Sequence, residues 1–532
     1  MYFKPNVITA CDFYKIGHPD MYHPKMSLLV SNLTCRNDKY ADMLKASPYY
    51  QNKTVVFGIQ LFVCDFLIKG FNKGFFNQPK DKVVAKFKQR VDSSLGTDII
   101  NITNIEKLHD LGYLPIELKA IDEGAVVNLN IPLVAINNTH PDFAWLVNYL
   151  ESCALTSLWK PITIATVSYE YKKILSYYAK ETSDNEWLVD FCGHDFSLRG
   201  QDGIEDAMVS GAAFLTSFKG TDSIPALDLL EEYYGVDSSI EAAGFSVRAS
   251  EHSIMTSLIL YEQSQLIKQG FNGDTLSEAE YIVFKNLLEK FPNGILSLVS
   301  DQFDYWSVLS KHLPRLKDII MARNGKLVVR PDSSDPLEVA CGAPHKVIKD
   351  KFYRITQSML GADVTLGEIS KEEAKGTIES LWDIFGGTIN SKGYKELDSH
   401  IGMIQGDALT IPRVLSICEG LKEKGFATTN MVFGIGAYSL NGMLTRDTFG
   451  QAFKATYCEI EGTPVNVYKQ PKTDSSKNSA KGLLRVEKID NNYIVHQEQT
   501  WQEYQMGELT TVFKDGVLTK QTTLAEIRQK LS

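Results

Sequence analysis

Leu327-Val328-Val329-Arg330-Pro331-Asp332 is an apolar run that ends abruptly in a cation, a proline and a carboxylate. The short β-branched run predicts a buried strand. Proline fixes φ and has no N–H to extend a sheet ladder, so the strand stops at 330. Polar groups at the carboxyl ends of parallel strands are where α/β barrels and open α/β sheets build their active sites.

Working outward, the same device recurs. Trp187 to Phe191, Ile295 to Val299, Ile401 to Ile404 and Met431 to Phe433 predict further strands. Helical patterns at Gly203 to Phe218, Ser277 to Lys290 and Pro412 to Lys424 lie between them, the second opening with a capping box at Ser277-Glu-Ala-Glu280. Strand, loop and helix repeated this way imply a parallel sheet, and the number of units favours a barrel over an open sheet. The ends differ. Short extended runs at 110–140, and after Thr463 at Val465 to Tyr468, Leu483 to Val486 and Tyr493 to His496, precede a Lys514-Asp-Gly516 hairpin signal. The expected fold is therefore an α/β (TIM-like) barrel over 161–439, plus a β-rich α+β domain made jointly by 1–160 and 440–532. Residues 341–398 break the rhythm and read as an inserted helical subdomain or surface excursion.

Composition excludes several classes. At 532 residues, with 44% hydrophobic and 23% charged residues, the chain has the make-up of a globular protein large enough for two cores. A formal charge of −10 argues against bulk binding to nucleic acid or acidic membranes. Its 8 cysteines form no C-x-x-C pair, the reduced cytoplasmic pattern. The start Met1-Tyr-Phe-Lys-Pro lacks signal-peptide layout, and Val55 to Phe71 carries Gln60, Asp65 and Lys69, so it reads as a core helix and not a membrane span.

Loops after the apolar runs carry the chemistry: Gly193-His-Asp-Phe-Ser-Leu-Arg199-Gly200, Ser297 with Ser300-Asp301, Arg330-Pro-Asp332, Gln405-Gly406-Asp407 and Gly434-Ile-Gly436-Ala437. Ionised carboxylates accept from ribose hydroxyls, while arginines and glycine-loop N–H groups suit phosphate. Any one of these has a plainer reading as a turn, a cap or a surface ion pair. Their recurrence at one loop position points to an α/β-barrel enzyme acting on a phosphorylated sugar or nucleotide.

Nearly the whole chain, in order, closely resembles the nicotinamide phosphoribosyltransferase family of type II phosphoribosyltransferases. The matching motifs are Thr9 to His18, Asp195 to Gly200, Phe218-Lys-Gly-Thr-Asp222, Glu251-His252-Ser253, Ser297 to Asp301, Arg330-Pro-Asp332-Ser, Ile404-Gln-Gly-Asp407, Phe433-Gly-Ile-Gly436, Leu444-Thr-Arg446-Asp447, Val467-Tyr-Lys469 and Thr511 to Gly516. The resemblance implies a homodimer that makes nicotinamide mononucleotide and pyrophosphate from nicotinamide and phosphoribosyl pyrophosphate. It implies a pyridine ring stacked between Phe196 and Tyr14, the latter from the partner subunit. Asp222 becomes the selectivity residue, accepting a carboxamide N–H and repelling a carboxylate. Arg199, Ser297 and Arg330 fall near the carboxamide or product phosphate, and Asp301 and Asp332 beside ring and ribose. Gly406 and Asp407 hold ribose hydroxyls, and Gly436 and Ala437 line the 5′-phosphate. Arg36, Arg446, Lys454, Lys469 and Lys477 line pyrophosphate or ATP phosphates.

The family's distinctive step places a phosphoryl group from ATP on His252, with Asp301 orienting the ring and Mg²⁺ carried mainly by substrate phosphates, so no protein metal site is expected. The chain departs from the family's triple-glycine loop at Gly436-Ala437-Tyr438-Ser439, where a Cβ at 437 limits backbone approach. Two alternatives stay open: a nicotinate-specific enzyme, and a degenerate nucleotide-binding relative.

Overall fold

A computed structural model describes residues 6–357, 363–469 and 479–532. One sheet among them holds seven parallel strands, in the order Gly220–Thr221, Gly193–Phe196, Met431–Gly436, Ile401–Gln405, Leu327–Arg330, Leu296–Val299 and Arg248–Ala249. Its two ends meet: Thr221 N–H donates to the Phe245 carbonyl at 2.9 Å, Phe245 N–H donates to the Lys219 carbonyl at 2.7 Å, and Arg248 pairs with Leu296. Segment 245–249 thus closes the sheet into a barrel. Helices such as Ile204–Phe214, Thr275–Lys290 and Ile411–Glu423 cover it.

A second sheet of seven strands takes both chain ends. Its order is Thr463–Asn466, Ala452–Ile460, Met26–Thr34, Pro132–Asn138, Ile116–Ala120, Thr510–Lys514 and Val517–Leu518, antiparallel at every pairing. The last hairpin turns through Asp515 and Gly516, both at positive φ, as an Asp-Gly turn requires. A 32-residue helix, Glu151–Thr182, runs between barrel and sheet. Its Thr166 Oγ1 accepts from Val55 N–H at 2.9 Å, and its Tyr171 hydroxyl donates to the Leu409 carbonyl at 2.9 Å.

Several local expectations are corrected. Trp187 to Phe191 is not a strand but the helical turns Glu186–Leu188 and Val189–Cys192, and the strand begins at Gly193. A five-residue apolar run fits either state, and here only Val189 and Cys192 are buried while Trp187 faces solvent. The helix Thr275–Lys290 is capped by Asp274, whose carboxylate accepts from Ser277 N–H at 3.1 Å, not by the Ser277 box. Of the two readings of 341–398, residues 345–357 and 363–369 fit the surface excursion and not the helical subdomain. They are a three-stranded meander, His345–Ile348, Lys351–Gln357 and Asp363–Ile369, tied back by Arg354, which pairs with Glu338 and Glu373. The helix Thr377–Phe385 that follows buries Ile378 and Leu381 in the main core.

Candidate active site

The barrel mouth is organised around Phe196. In the strand Gly193–Phe196, side chains two apart share a face, and the His194 and Phe196 rings meet at 4.9 Å between centroids. Phe196 lies on glycine. A Cβ added at Gly434 would sit 2.4 Å from two ring carbons, and one at Gly406 would sit 3.0 Å from the ring. The two glycines therefore make a bed for the ring: a methyl at Gly434 would force the ring to move, and one at Gly406 would crowd it. That same Cβ position at Gly406 lies 3.9 Å from Asp332 Oδ1.

Asp222 follows the strand Gly220–Thr221. Its Oδ1 accepts from His194 Nε2 at 3.0 Å and from Ser246 Oγ at 2.6 Å. Burial pushes this carboxyl up, but those two hydrogen bonds, the His194 ring and the Arg330 charge outweigh burial and hold it below its ordinary range. Because both bonds fall on Oδ1, Oδ2 is the oxygen left to a ligand.

Next to it lies a charged cluster from four further strand ends. Asp301 Oδ2 accepts from Asp332 N–H at 2.8 Å and from Ser333 Oγ at 2.7 Å. Its Oδ1 lies 3.3 Å from His252 Nε2, at ion-pair distance but out of line for a hydrogen bond, so this buried oxygen has no hydrogen-bond partner. The Asp301 side chain is 4% exposed and that of His252 51%, so the imidazole covers the carboxylate and faces outward. His252 is the first residue of the 17-residue helix His252–Lys268, where the helix dipole favours negative charge. Burial raises the Asp332 carboxyl above its ordinary range; Asp301 and Asp407 add to the rise, while Arg330 and His252 oppose it. Asp301, Arg330, Asp332, His252 and Asp407 thus share one electrostatic environment. Ser297 is buried in its strand, and its carbonyl accepts from Ser250 N–H at 2.9 Å. Gly406 and Asp407 N–H groups both donate to the Gln405 side-chain oxygen, at 2.7 and 3.2 Å.

The expected phosphate loop leaves its strand at Gly436. Nothing lies within 4 Å of a Cβ added there, and Gly436 keeps an ordinary extended φ of −79°. Ala437 turns its methyl onto Gly200, beside the exposed Arg199.

Tyr14 lies in the helical turn Phe13–Ile16, and of the remaining cations Lys454 lies in the second sheet while Arg36 and Lys469 follow strands of it. Burial lowers Lys454, Glu151 opposes that shift, and Arg36, Lys469 and Lys15 add to it, so these groups are neighbours. Arg36 Nε donates to the Gly450 carbonyl at 2.7 Å, and Arg446, four residues earlier, pairs with Asp447 at 2.6 Å. Lys15 joins Glu151 and lies 5.3 Å from the Tyr14 ring centre, while Tyr14 is 62% exposed. Among the described residues, no hydrogen bond or ion pair links these cations to Phe196, Asp222 or His252 of the same chain. Lys477 lies outside the described residues.

Three contributors escaped the sequence reading. Ser246 follows no apolar run and carries no motif. Ser333 is visible only as the serine after Asp332. Gly434 was readable as part of a glycine loop, but its role as the bed of Phe196 needed the register between strands.

A closed parallel barrel whose mouth joins an aromatic ring on glycine, an ionised carboxylate and an Arg/Asp/His cluster defines an enzyme of the phosphoribosyltransferase class. The nicotinate phosphoribosyltransferase (NAPRTase) family matches residues 191–517. Nicotinamide phosphoribosyltransferase from Acinetobacter baylyi is 41% identical over 540 aligned residues, covering 100% of this chain and 98% of the relative. The enzyme of that name from Mycoplasma pneumoniae is 33% identical, covering 89% of this chain and 94% of its own. In fold, the chain is similar to human nicotinic acid phosphoribosyltransferase, with a TM-score of 0.51, 13% identity, and 98% and 92% of the two chains covered. The chain belongs to the nicotinate phosphoribosyltransferase family. Among its described residues, no helix is long and apolar enough to cross a membrane.

Proposed function

We propose that this enzyme transfers the phosphoribosyl group of phosphoribosyl pyrophosphate to nicotinamide, giving nicotinamide mononucleotide and pyrophosphate, and couples the reaction to ATP hydrolysis through His252. The observation that carries the substrate choice is Asp222. Its Oδ1 is taken by His194 and Ser246, so the free Oδ2 presents an anionic acceptor across His194 from the Phe196 face. A carboxamide N–H satisfies that oxygen, whereas a nicotinate carboxylate meets like charge. Phe196 on its glycine bed offers a flat face to a pyridine ring and holds the ring nitrogen toward the ribose carbon.

As pyrophosphate leaves, positive charge develops on the ribosyl centre. Asp301, Asp332 and Asp407 are the carboxylates facing that side, and Asp407 with the Gly406 segment receives the ribose hydroxyls. On the leaving side, Arg36, Arg446, Lys454, Lys469 and Lys477 of a second copy would complete the site, together with Tyr14 of the partner subunit over the second face of the ring. Two observations support this homodimer: Tyr14 is exposed beside Lys15, whose charge acts on Lys454 together with those of Arg36 and Lys469, and the helix starting at His252 exposes Ile254, Leu258 and Tyr261 along one stripe. Mg²⁺ is assigned to substrate phosphates. The carboxylates at the mouth are hard oxygen donors that suit it.

For the ATP step, Asp301 faces Nε2, which leaves Nδ1 to attack the γ-phosphorus. ADP departs, the phosphoryl group stays on Nδ1 at the helix N-terminus, and Asp301 balances the charged ring. Incubation with Mg²⁺, nicotinamide and phosphoribosyl pyrophosphate should yield mononucleotide, faster with ATP. No product, or a preference for nicotinate, overturns the reading. Retention of ATP stimulation and ATP hydrolysis by His252→Ala overturns the phosphohistidine step alone.

A further inference from the structure

Two loops of the mouth, 197–201 and 434–441, interlock in a way the reaction itself does not explain. A Cβ built on Gly200 would lie 2.4 Å from the Cβ of Ala437 and 3.8 Å from its Cα, so the Ala437 methyl fills the space a side chain at 200 would need. One residue on from Gly200 and four on from Ala437, the loops exchange amides. Asn441 Nδ2 donates to Gln201 Oε1 at 2.6 Å, and Gln201 Nε2 donates to Asn441 Oδ1 at 3.4 Å and to Ser197 Oγ at 2.9 Å. Gly436, by contrast, faces open space.

We propose that the Gly200–Ala437 contact and the Gln201–Asn441 amide pair form one positioning device, which fixes the phosphate loop against the loop bearing Phe196 and Arg199. The proposal rests on reading 436–437 as the 5′-phosphate loop. A phosphate held by backbone N–H groups and a ring held by Phe196 belong to one rigid product, so the two loops must keep their separation to within about 0.5 Å. Two contacts, adjacent on one loop and four residues apart on the other, fix both the distance between the loops and their mutual slide. The alanine that replaces a family glycine therefore does not crowd the phosphate. Its methyl points at Gly200 and leaves no room for a side chain there. Gly200, Gln201 and Asn441 are positioning residues, acting through the loop and not by touching a reacting atom.

The test compares affinities for nicotinamide mononucleotide and nicotinamide riboside, which differ only in the 5′-phosphate, by calorimetry on the full chain. Gly200→Ala sets methyl against methyl, and the mononucleotide-to-riboside affinity ratio should fall about 10-fold, the scale of losing one hydrogen bond to the charged phosphate. Removing the opposing methyl in Gly200→Ala with Ala437→Gly should restore the ratio, which a general loss of stability would not do. Asn441→Ala, which adds no bulk, should lower the ratio about 3-fold and keeps the test alive if Gly200→Ala does not fold. An unchanged ratio in Gly200→Ala or Asn441→Ala, or a folded double variant no better than the single one, overturns the device. A wild-type ratio near one would instead overturn the assignment of the phosphate to this loop, a separate failure visible before any variant is made.

Discussion

Replacing Asp222 by Asn changes one atom in kind and almost nothing in shape. The side-chain oxygen can keep the Oδ1 position, still accepting from His194 Nε2 and Ser246 Oγ. The Oδ2 position becomes an NH₂ group, a donor where the wild type has an anionic acceptor. Toward nicotinamide this opposes donor to donor. Toward nicotinate it turns repulsion into a hydrogen bond. A hydrogen bond to a charged group contributes about 1.5–3 kcal/mol. The Asp222 side chain is 46% exposed before a ligand covers it, so solvent screening favours the lower end, and about 1.5 kcal/mol is a factor of about 10. The expected result is a fall of about 10-fold in kcat/KM for nicotinamide, with any gain for nicotinate moving the amide-to-acid ratio further. Competition between the two bases, read as the ratio of mononucleotides formed, measures it. Because hydrogen bonding holds Asp222 below the ordinary carboxylate range despite burial, Oδ2 stays anionic across the neutral range in which the ratio is read. A ratio that moves less than about 3-fold in a folded variant would refute the argument, since it would mean that Oδ2 never meets the ring substituent.

Gly434→Ala should push the Phe196 ring off its bed and cut kcat/KM for nicotinamide at least about 10-fold, because the added Cβ would stand 2.4 Å from ring carbons; steady-state kinetics decide. Glu123 is fully buried, and burial lifts its carboxyl to about 7 against hydrogen bonds from Gln60 N–H and neighbours. A raised carboxyl adds stability that is complete below its unfolded pKa and lost as pH rises through about 7. The thermal midpoint should thus decline between about pH 5 and 8 in the wild type and flatten in Glu123→Gln, with equal slopes counting against the assignment. Lys454→Ala should raise KM for phosphoribosyl pyrophosphate about 10-fold and leave that for nicotinamide within about 2-fold, and an unchanged KM would detach the cationic group from the reaction.

The strand ends were legible because apolar runs cut off by polar loops leave a local signature. Leu327 to Arg330, Leu296 to Val299 and Ile401 to Gln405 stand where the runs predict them. Trp187 to Phe191 misled because a short apolar run has no periodicity to separate strand from helix. The strands of the meander over 345–357 and 363–369 were not legible, because exposed strands that bury little on either face show no alternating pattern.

The order of polar loops, the residue types they carry and the joining of both chain ends in one β-rich unit were determined by the sequence itself, since each follows from local propensity or an ordered motif set. Which oxygen of Asp222 is free, which ring lies on which glycine and which methyl faces Gly200 were decided only by tertiary structure. Those relations depend on register between strands far apart in the chain. A shift of one residue in a parallel pair such as Gly434 with His194 would exchange every inward side chain for an outward one, and no local stretch of sequence encodes that alignment.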